Sequence, residues 1–154
     1  MINKHKFYHG AAIIRLLEDE CCKALRKKGS LGYVCNEKVF LFVKYTTKAR
    51  TPWQFTFDQE DVDRANRMAA EYGHTVCVFV CGGDGVCAVS WEEVQQIINN
   101  SAGRVAVARK HNKQYSVWGG ADELEHKVAI SQWPAVVFET APDVATIPIA
   151  TGVE

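Results

Sequence analysis

Apolar and polar positions alternate along the chain in two periods, and the period changes often. Ile13, Leu16, Leu17, Ala24 and Leu25 recur at helical spacing and Gly29 follows them, which predicts a helix over residues 9–28. The basic cluster Lys23, Arg26, Lys27 and Lys28 then falls in its last turns, where the helix dipole favours cations. Leu31 to Cys35 reads as a short strand, Asn36-Glu37 as a tight turn, and Lys38 to Tyr45 as a second strand. Thr46 to Pro52 is a polar loop. Trp53, Phe55 and Phe57 alternate onto one face of a third strand.

Asp58 is a suitable N-cap for a helix running to about Tyr72, and Gly73 is its stop. Thr75 to Cys81 is almost continuously apolar, the pattern of an interior strand. Gly82-Gly83-Asp84-Gly85 turns the chain into a hairpin partner at Val86 to Val89. Ser90 and Glu93 have capping-box spacing ahead of a helix that reaches Asn99. Arg104 to Ala108 and Tyr115 to Trp118 read as two further strands. From Glu139 onward Pro142 and Pro148 interrupt any helical pattern, so residues 1–138 are expected to form one domain and 139–154 an extended tail. The order αβββαββαββ predicts a mixed α/β (α+β) protein whose central mixed sheet is flanked by helices.

At 154 residues, 47% hydrophobic and 23% charged, the chain can bury a core without a disulfide or metal staple. No apolar run is long enough for a membrane helix, and the N-terminal residues lack the features of a signal peptide. Cys21, Cys22, Cys35, Cys77, Cys81 and Cys87 contain no Cys-x-x-Cys pair, so reduced, structural cysteines and a cytoplasmic location are expected. Cys77 and Cys81 share a strand face with Phe79 between them.

Basic and acidic residues balance at eighteen each but are unevenly placed. Residues 1–50 carry eleven Lys/Arg against four Asp/Glu, whereas residues 51–103 carry two against eight. Such a chain can present a basic face to a polyanion or an acidic face to a basic protein, or long elements can simply expose charge of one sign.

The helix, three strands, helix and strand over residues 9–81 resemble the αβββαβ core of the PD-(D/E)XK nuclease-like superfamily. The resemblance implies a restriction-endonuclease-like core. In active members an Asp on one strand, and an Asp or Glu two residues before a Lys on the next, hold Mg²⁺, which polarises a phosphate and activates water. The matching segment here is Phe42-Val43-Lys44, and the preceding strand ends Val34-Cys35-Asn36. The Lys is present, Phe42 stands at the acidic position, and the other carboxylate is missing unless Glu37 serves. Glu18 or Glu20 would be the acid of the first helix. Too few oxygen ligands remain for a hard cation, and the resemblance implies a degenerate active site.

Lys44 follows an apolar run on the face of Phe40 and Phe42. It is an outward Lys on the solvated side of an edge strand, a Lys with a snorkelling stem, or a cation lining a cleft with Lys48 and Arg50. The loop from Thr46 to Trp53 mixes hydroxyls, Lys48, Arg50 and an aromatic, which suits a phosphate backbone with a stacking platform and equally a polar loop closed by a core Trp. Arg109, Lys110 and Lys113 form a second basic loop. Trp118 and Trp133 lie near turns, where an aromatic either belongs to the core or anchors a partner protein. Five scattered histidines show no metal-ligand spacing, and no metal site is expected.

Three functions follow. The first is a non-catalytic binding module on a nuclease-like scaffold, engaging nucleic acid or a nucleic-acid-handling protein through Lys44, Lys48, Arg50, Trp53, Arg109, Lys110 and Lys113. The second is an active nuclease with Lys44 and relocated acids such as Glu18, Glu20, Glu37 or Asp84. The third is an acidic-faced inhibitor of a nucleic-acid-binding protein. No cofactor is expected, apart from Mg²⁺ under the nuclease alternative, and no membrane partner.

Overall fold

The computed structural model of the chain describes residues 1–30 and 32–139. Among the described residues, two sheets and four helices make a mixed α/β fold. The larger sheet has five strands in the order β1 (Leu25–Lys27), β2 (Gly32–Cys35), β3 (Val39–Thr46), β5 (Thr75–Cys81) and β6 (Gly85–Ser90). The smaller has β4 (Trp53–Phe57), β7 (Gly103–Ala108) and β8 (Ser116–Gly119). The helices are α1 (Lys4–Leu17), α2 (Gln59–Tyr72), α3 (Trp91–Ile98) and α4 (Gln132–Glu139).

Local sequence accounts for most of these elements. Asn36 and Glu37 both adopt positive φ in the three-residue turn, 36–38, that joins β2 and β3 in register Cys35↔Val39. Asp58 and Asp61 cap α2 reciprocally, and Gly73 ends it in the left-handed conformation at φ 80°. Ser90 caps α3 by accepting from the Glu93 N–H. β3 and β5 pair in parallel and β5 and β6 antiparallel.

The chain start departs from expectation. The first helix spans Lys4–Leu17 rather than 9–28, because Asn3 supplies an N-cap to the Lys6 N–H. Acidic Glu18, Asp19 and Glu20 then crowd the end where the helix dipole disfavours them. The Asn36 side chain accepts from the N–H groups of Lys23 and Ala24 and turns the chain into β1. The basic cluster therefore lies on and beside an edge strand. Arg26 forks onto Glu37, and Lys28 reaches Glu71. A charged edge resists strand-to-strand association.

The Trp53–Phe57 strand also departs. It forms as expected but leaves the main sheet to pair with β7. Trp53, Phe55 and Phe57 all point at the main sheet, and the Phe55 and Phe79 ring centroids are 4.6 Å apart. α4 was not anticipated. The expected tail lies outside the described residues, except for Glu139, which closes α4.

Two cores lie on opposite faces of the main sheet. One holds Phe40, Phe42, Cys77, Phe79 and Cys81 beneath β4, β7, α2 and α3. The other holds Leu41, Val43, Val76, Val78 and Val80 beneath α1 and α4. All six cysteines are free thiols, and Cys77 and Cys81 share a face with Phe79 as the alternation predicts. Trp91 and Trp133 are core residues, their indole N–H groups donating to Asn66 and to the Ala12 carbonyl. Among the described residues no helix is long and apolar enough to cross a membrane.

Candidate functional site

Lys44 sits on β3 beyond the end of its pairing with β2 and opposite Phe79 on β5, but its side chain is largely withdrawn from water, so the outward reading fails. Its side chain shares the face of Phe40 and Phe42 and turns beneath α2. There its ammonium donates to Asp61 Oδ2 at 2.9 Å and lies 4.9 Å from the centre of the Phe57 ring. The two side chains are 14% and 12% exposed, so the pair is largely withdrawn from water. The same Asp61 oxygen accepts the Asp58 N–H, which ties the pair into the α2 capping box. Lys44 is a structural cation here and not a free one.

The acids proposed to serve with Lys44 are elsewhere. Glu37 lies in the β2–β3 turn, seven residues before Lys44 in the chain and on the order of 20 Å away along an extended backbone. Its carboxyl is held below the usual carboxylate range chiefly by its hydrogen bond from Arg26. Glu20 is exposed in the loop after α1, beside Cys21, whose carbonyl accepts from the Asn36 side chain of that same turn. Glu20 and Glu37 thus share one end of the sheet, and Lys44 is near the other. Among the described residues no three His, Cys, Asp or Glu side chains are grouped to hold a metal ion.

The Thr46–Pro52 loop folds back on itself. Lys48 Nζ donates to the Pro52 carbonyl at 2.9 Å, and the Trp53 indole donates to the Lys48 carbonyl at 3.0 Å. Gly82 lets this loop approach the β5–β6 turn, since at φ +54° an added Cβ would clash with the Lys48 carbonyl oxygen. Trp53 is only 2% exposed, which corrects its assignment as a stacking platform. Arg50 is exposed and makes no side-chain hydrogen bond or ion pair with the described residues.

The β7–β8 connection assembles a different site. Arg109 donates through Nε and Nη2 to both oxygens of Asp84, each at 2.8 Å, and through Nη1 to the Lys113 carbonyl. The Tyr115 hydroxyl donates to Asp84 Oδ2 at 2.9 Å. The Arg109 guanidinium beside Asp84 holds that carboxyl below its usual range. Arg109 is therefore the anchor of the connection, and it also lines the groove that the connection borders.

Anchored in this way, the connection holds Lys110 and Lys113 at the rim of an open groove of about 780 Å³. Thr51 and Pro52 form one wall. Trp118 and Lys127 form part of the other, and no carboxylate is among the described lining residues. Trp118 is 37% exposed. Lys127 donates to the Ser116 hydroxyl, and the antiparallel Tyr115↔Val128 bridge brings its segment alongside β8. No protein-family model, curated protein or solved structure matches this chain.

The structure thus joins Arg109, Lys110, Lys113 and Trp118 and adds Lys127, which sequence reasoning missed. No periodic signal could have found Lys127, because a single long-range bridge places it. Lys44, Lys48 and Arg50 do not line the groove. The charge asymmetry is partly consumed inside the fold. Lys28–Glu71 and Lys44–Asp61 join the basic first third to the acidic middle. Asp84 and Glu93 in that middle meet Arg109 and His126.

Proposed function

We propose that this chain is a non-catalytic nucleic-acid-binding module on a nuclease-like sheet, with the strand held in the groove between Pro52 and the β7–β8 connection. The observation that carries this reading is the meeting of Lys110, Lys113 and Lys127 with a solvent-facing Trp118 in one groove. The ammonium groups neutralise phosphates at a salt-dependent gain. The indole offers a face on which any base can stack.

The nuclease-like scaffold is supported by the chain path. A helix, an antiparallel meander of three strands, a helix and a strand parallel to the third follow one another in one sheet. The meander is β1, β2 and β3, so the Trp53 strand is an insertion in that path. The absence of catalysis is supported by Phe42, buried at the position of a carboxylate, and by the engagement of Lys44 with Asp61.

The test is fluorescence anisotropy with labelled single- and double-stranded DNA and RNA, at low and moderate salt, with and without Mg²⁺. Binding that weakens with salt and with Lys113→Glu/Lys127→Glu, and leaves every substrate intact, is expected. No binding to any of the four at low salt would overturn the reading. Cleavage in the Mg²⁺ arm would replace it with the nuclease.

A further inference from the structure

α1 is apolar on two sides. His9, Ala12 and Leu16 face the core. Phe7, Ile14 and Leu17 face outward and are 62%, 56% and 54% exposed. Residues seven apart return to the same side of a helix, so Phe7 and Ile14 lie on one line with Gly10 and Ala11 between them. A Cβ on Gly10 would meet nothing within 4 Å, so the middle of the stripe is open to close approach.

Apart from Arg15 in the last turn, which donates to the Trp133 carbonyl, the charges at the helix ends oppose its own dipole. Lys4 and Lys6 occupy its start, where no acidic residue stands, and Glu18, Asp19 and Glu20 follow its end. A second α1 laid antiparallel on the stripe reverses both mismatches. The lysines of each copy then meet the acids and terminal carbonyls of the other.

We infer that α1 is the interface of a two-fold symmetric dimer of this chain. The axis passes between Gly10 and Ala11, so Phe7 packs against the partner's Ile14 and Lys4 approaches the partner's Glu18. A two-fold interface uses one patch twice, which a self-complementary stripe with opposite charges at its ends satisfies. The small residues on the axis allow the helix axes to approach to about 8 Å, the close end of helix packing. The groove lies among elements on the opposite face of the main sheet from α1, so both copies keep it open. The inference does not rest on the nucleic-acid reading.

Sedimentation of the full chain tests it. A dimer at micromolar concentration is expected, and Ile14→Glu leaves a monomer with an unchanged far-ultraviolet circular dichroism spectrum. Lys4→Glu weakens the dimer roughly tenfold, because symmetry converts two attractive contacts into repulsive ones. Adding Glu18→Lys to that variant restores the affinity. A monomer at every concentration, or a dimer indifferent to Ile14→Glu, would overturn the inference. A double charge reversal no tighter than Lys4→Glu alone would overturn the antiparallel pairing.

Discussion

Lys44 on β3 and Asp61 in the first turn of α2 are joined by a 2.9 Å hydrogen-bonded ion pair beneath that helix. Removing one member of such a pair leaves the other charge poorly solvated, and for fully buried pairs this costs roughly 3–5 kcal/mol. Residual exposure and the Asp58 N–H soften the loss here, so Lys44→Met should cost about 2 kcal/mol. Lys44→Met and Asp61→Asn should be non-additive, the double variant being less destabilised than the sum of the singles by about 1 kcal/mol. Urea unfolding of the four proteins measures the coupling. Additive losses would mean that the contact contributes nothing. Because Lys44 does not line the groove, Lys44→Met should leave nucleic-acid affinity unchanged under folding conditions.

This pair also shows where sequence reading stops. Alternation placed Lys44 on the face of Phe40 and Phe42, and that placement is correct. Its partner comes from another element, which no spacing rule links to it. The Asn36-Glu37 turn, the Asp58 and Ser90 caps and the Gly73 stop were legible because each is decided within a few residues. The end of α1 was not, because the long-range Asn36 contacts with Lys23 and Ala24 draw the chain into β1. The alternation of Trp53, Phe55 and Phe57 showed a strand but could not show which sheet it joins. The site was half legible. Arg109, Lys110 and Lys113 were legible as one basic loop, whereas the burial of Trp53 against the main sheet was not.

In the groove, cations and ring should separate by their salt dependence. Lys113→Ala and Lys127→Ala should each reduce the slope of log K against log salt by about 1, with little preference among sequences. Trp118→Ala should leave the slope unchanged and cost about 1–3 kcal/mol on single strands, the value of one stacked base. Anisotropy titrations at several salt concentrations read both quantities. An unchanged affinity for Trp118→Ala would remove the stacking contact and leave a purely electrostatic groove.

Asp84 holds the β7–β8 connection by accepting from Arg109 and from the Tyr115 hydroxyl. Tyr115 is fully buried, so Asp84→Ala leaves its hydroxyl without that partner, at a cost of about 1–3 kcal/mol. The carboxyl titrates below its unfolded value, chiefly because of the Arg109 hydrogen bond. Its stabilisation is therefore complete above the unfolded carboxylate pKa and is lost as pH falls through the folded one. Asp84→Ala should also weaken nucleic-acid binding, although Asp84 is outside the groove lining, because Arg109 no longer fixes the Lys113 carbonyl. Thermal unfolding and anisotropy together check this. Wild-type affinity in a folded Asp84→Ala protein would refute the positioning role.

His9 should make the fold sensitive to mild acid. It is buried beneath His5, its Nδ1 is 2.9 Å from the Tyr33 hydroxyl, and its Nε2 has no partner among the described residues. Burial, followed by repulsion from His5 and Lys27, lowers its pKa to about 4. In the unfolded chain a histidine takes up its proton near pH 6.5. Between those values the unfolded state binds more protons than the native state, so stability falls as pH drops from about 6.5 to about 4. It should not fall further below that range on account of His9. The full effect is roughly 3 kcal/mol. His74, also held low by burial, adds in the same direction, whereas His126, raised chiefly by its hydrogen bond with Glu93, opposes it. Urea unfolding at pH 7, 5.5 and 4.5 should therefore show a steep loss in the wild type and a shallower one in His9→Gln. His9→Gln should be the less stable protein at pH 7, where it loses packing, and should close that gap as the pH falls. Parallel pH profiles for the two proteins would show that His9 is not the sensor.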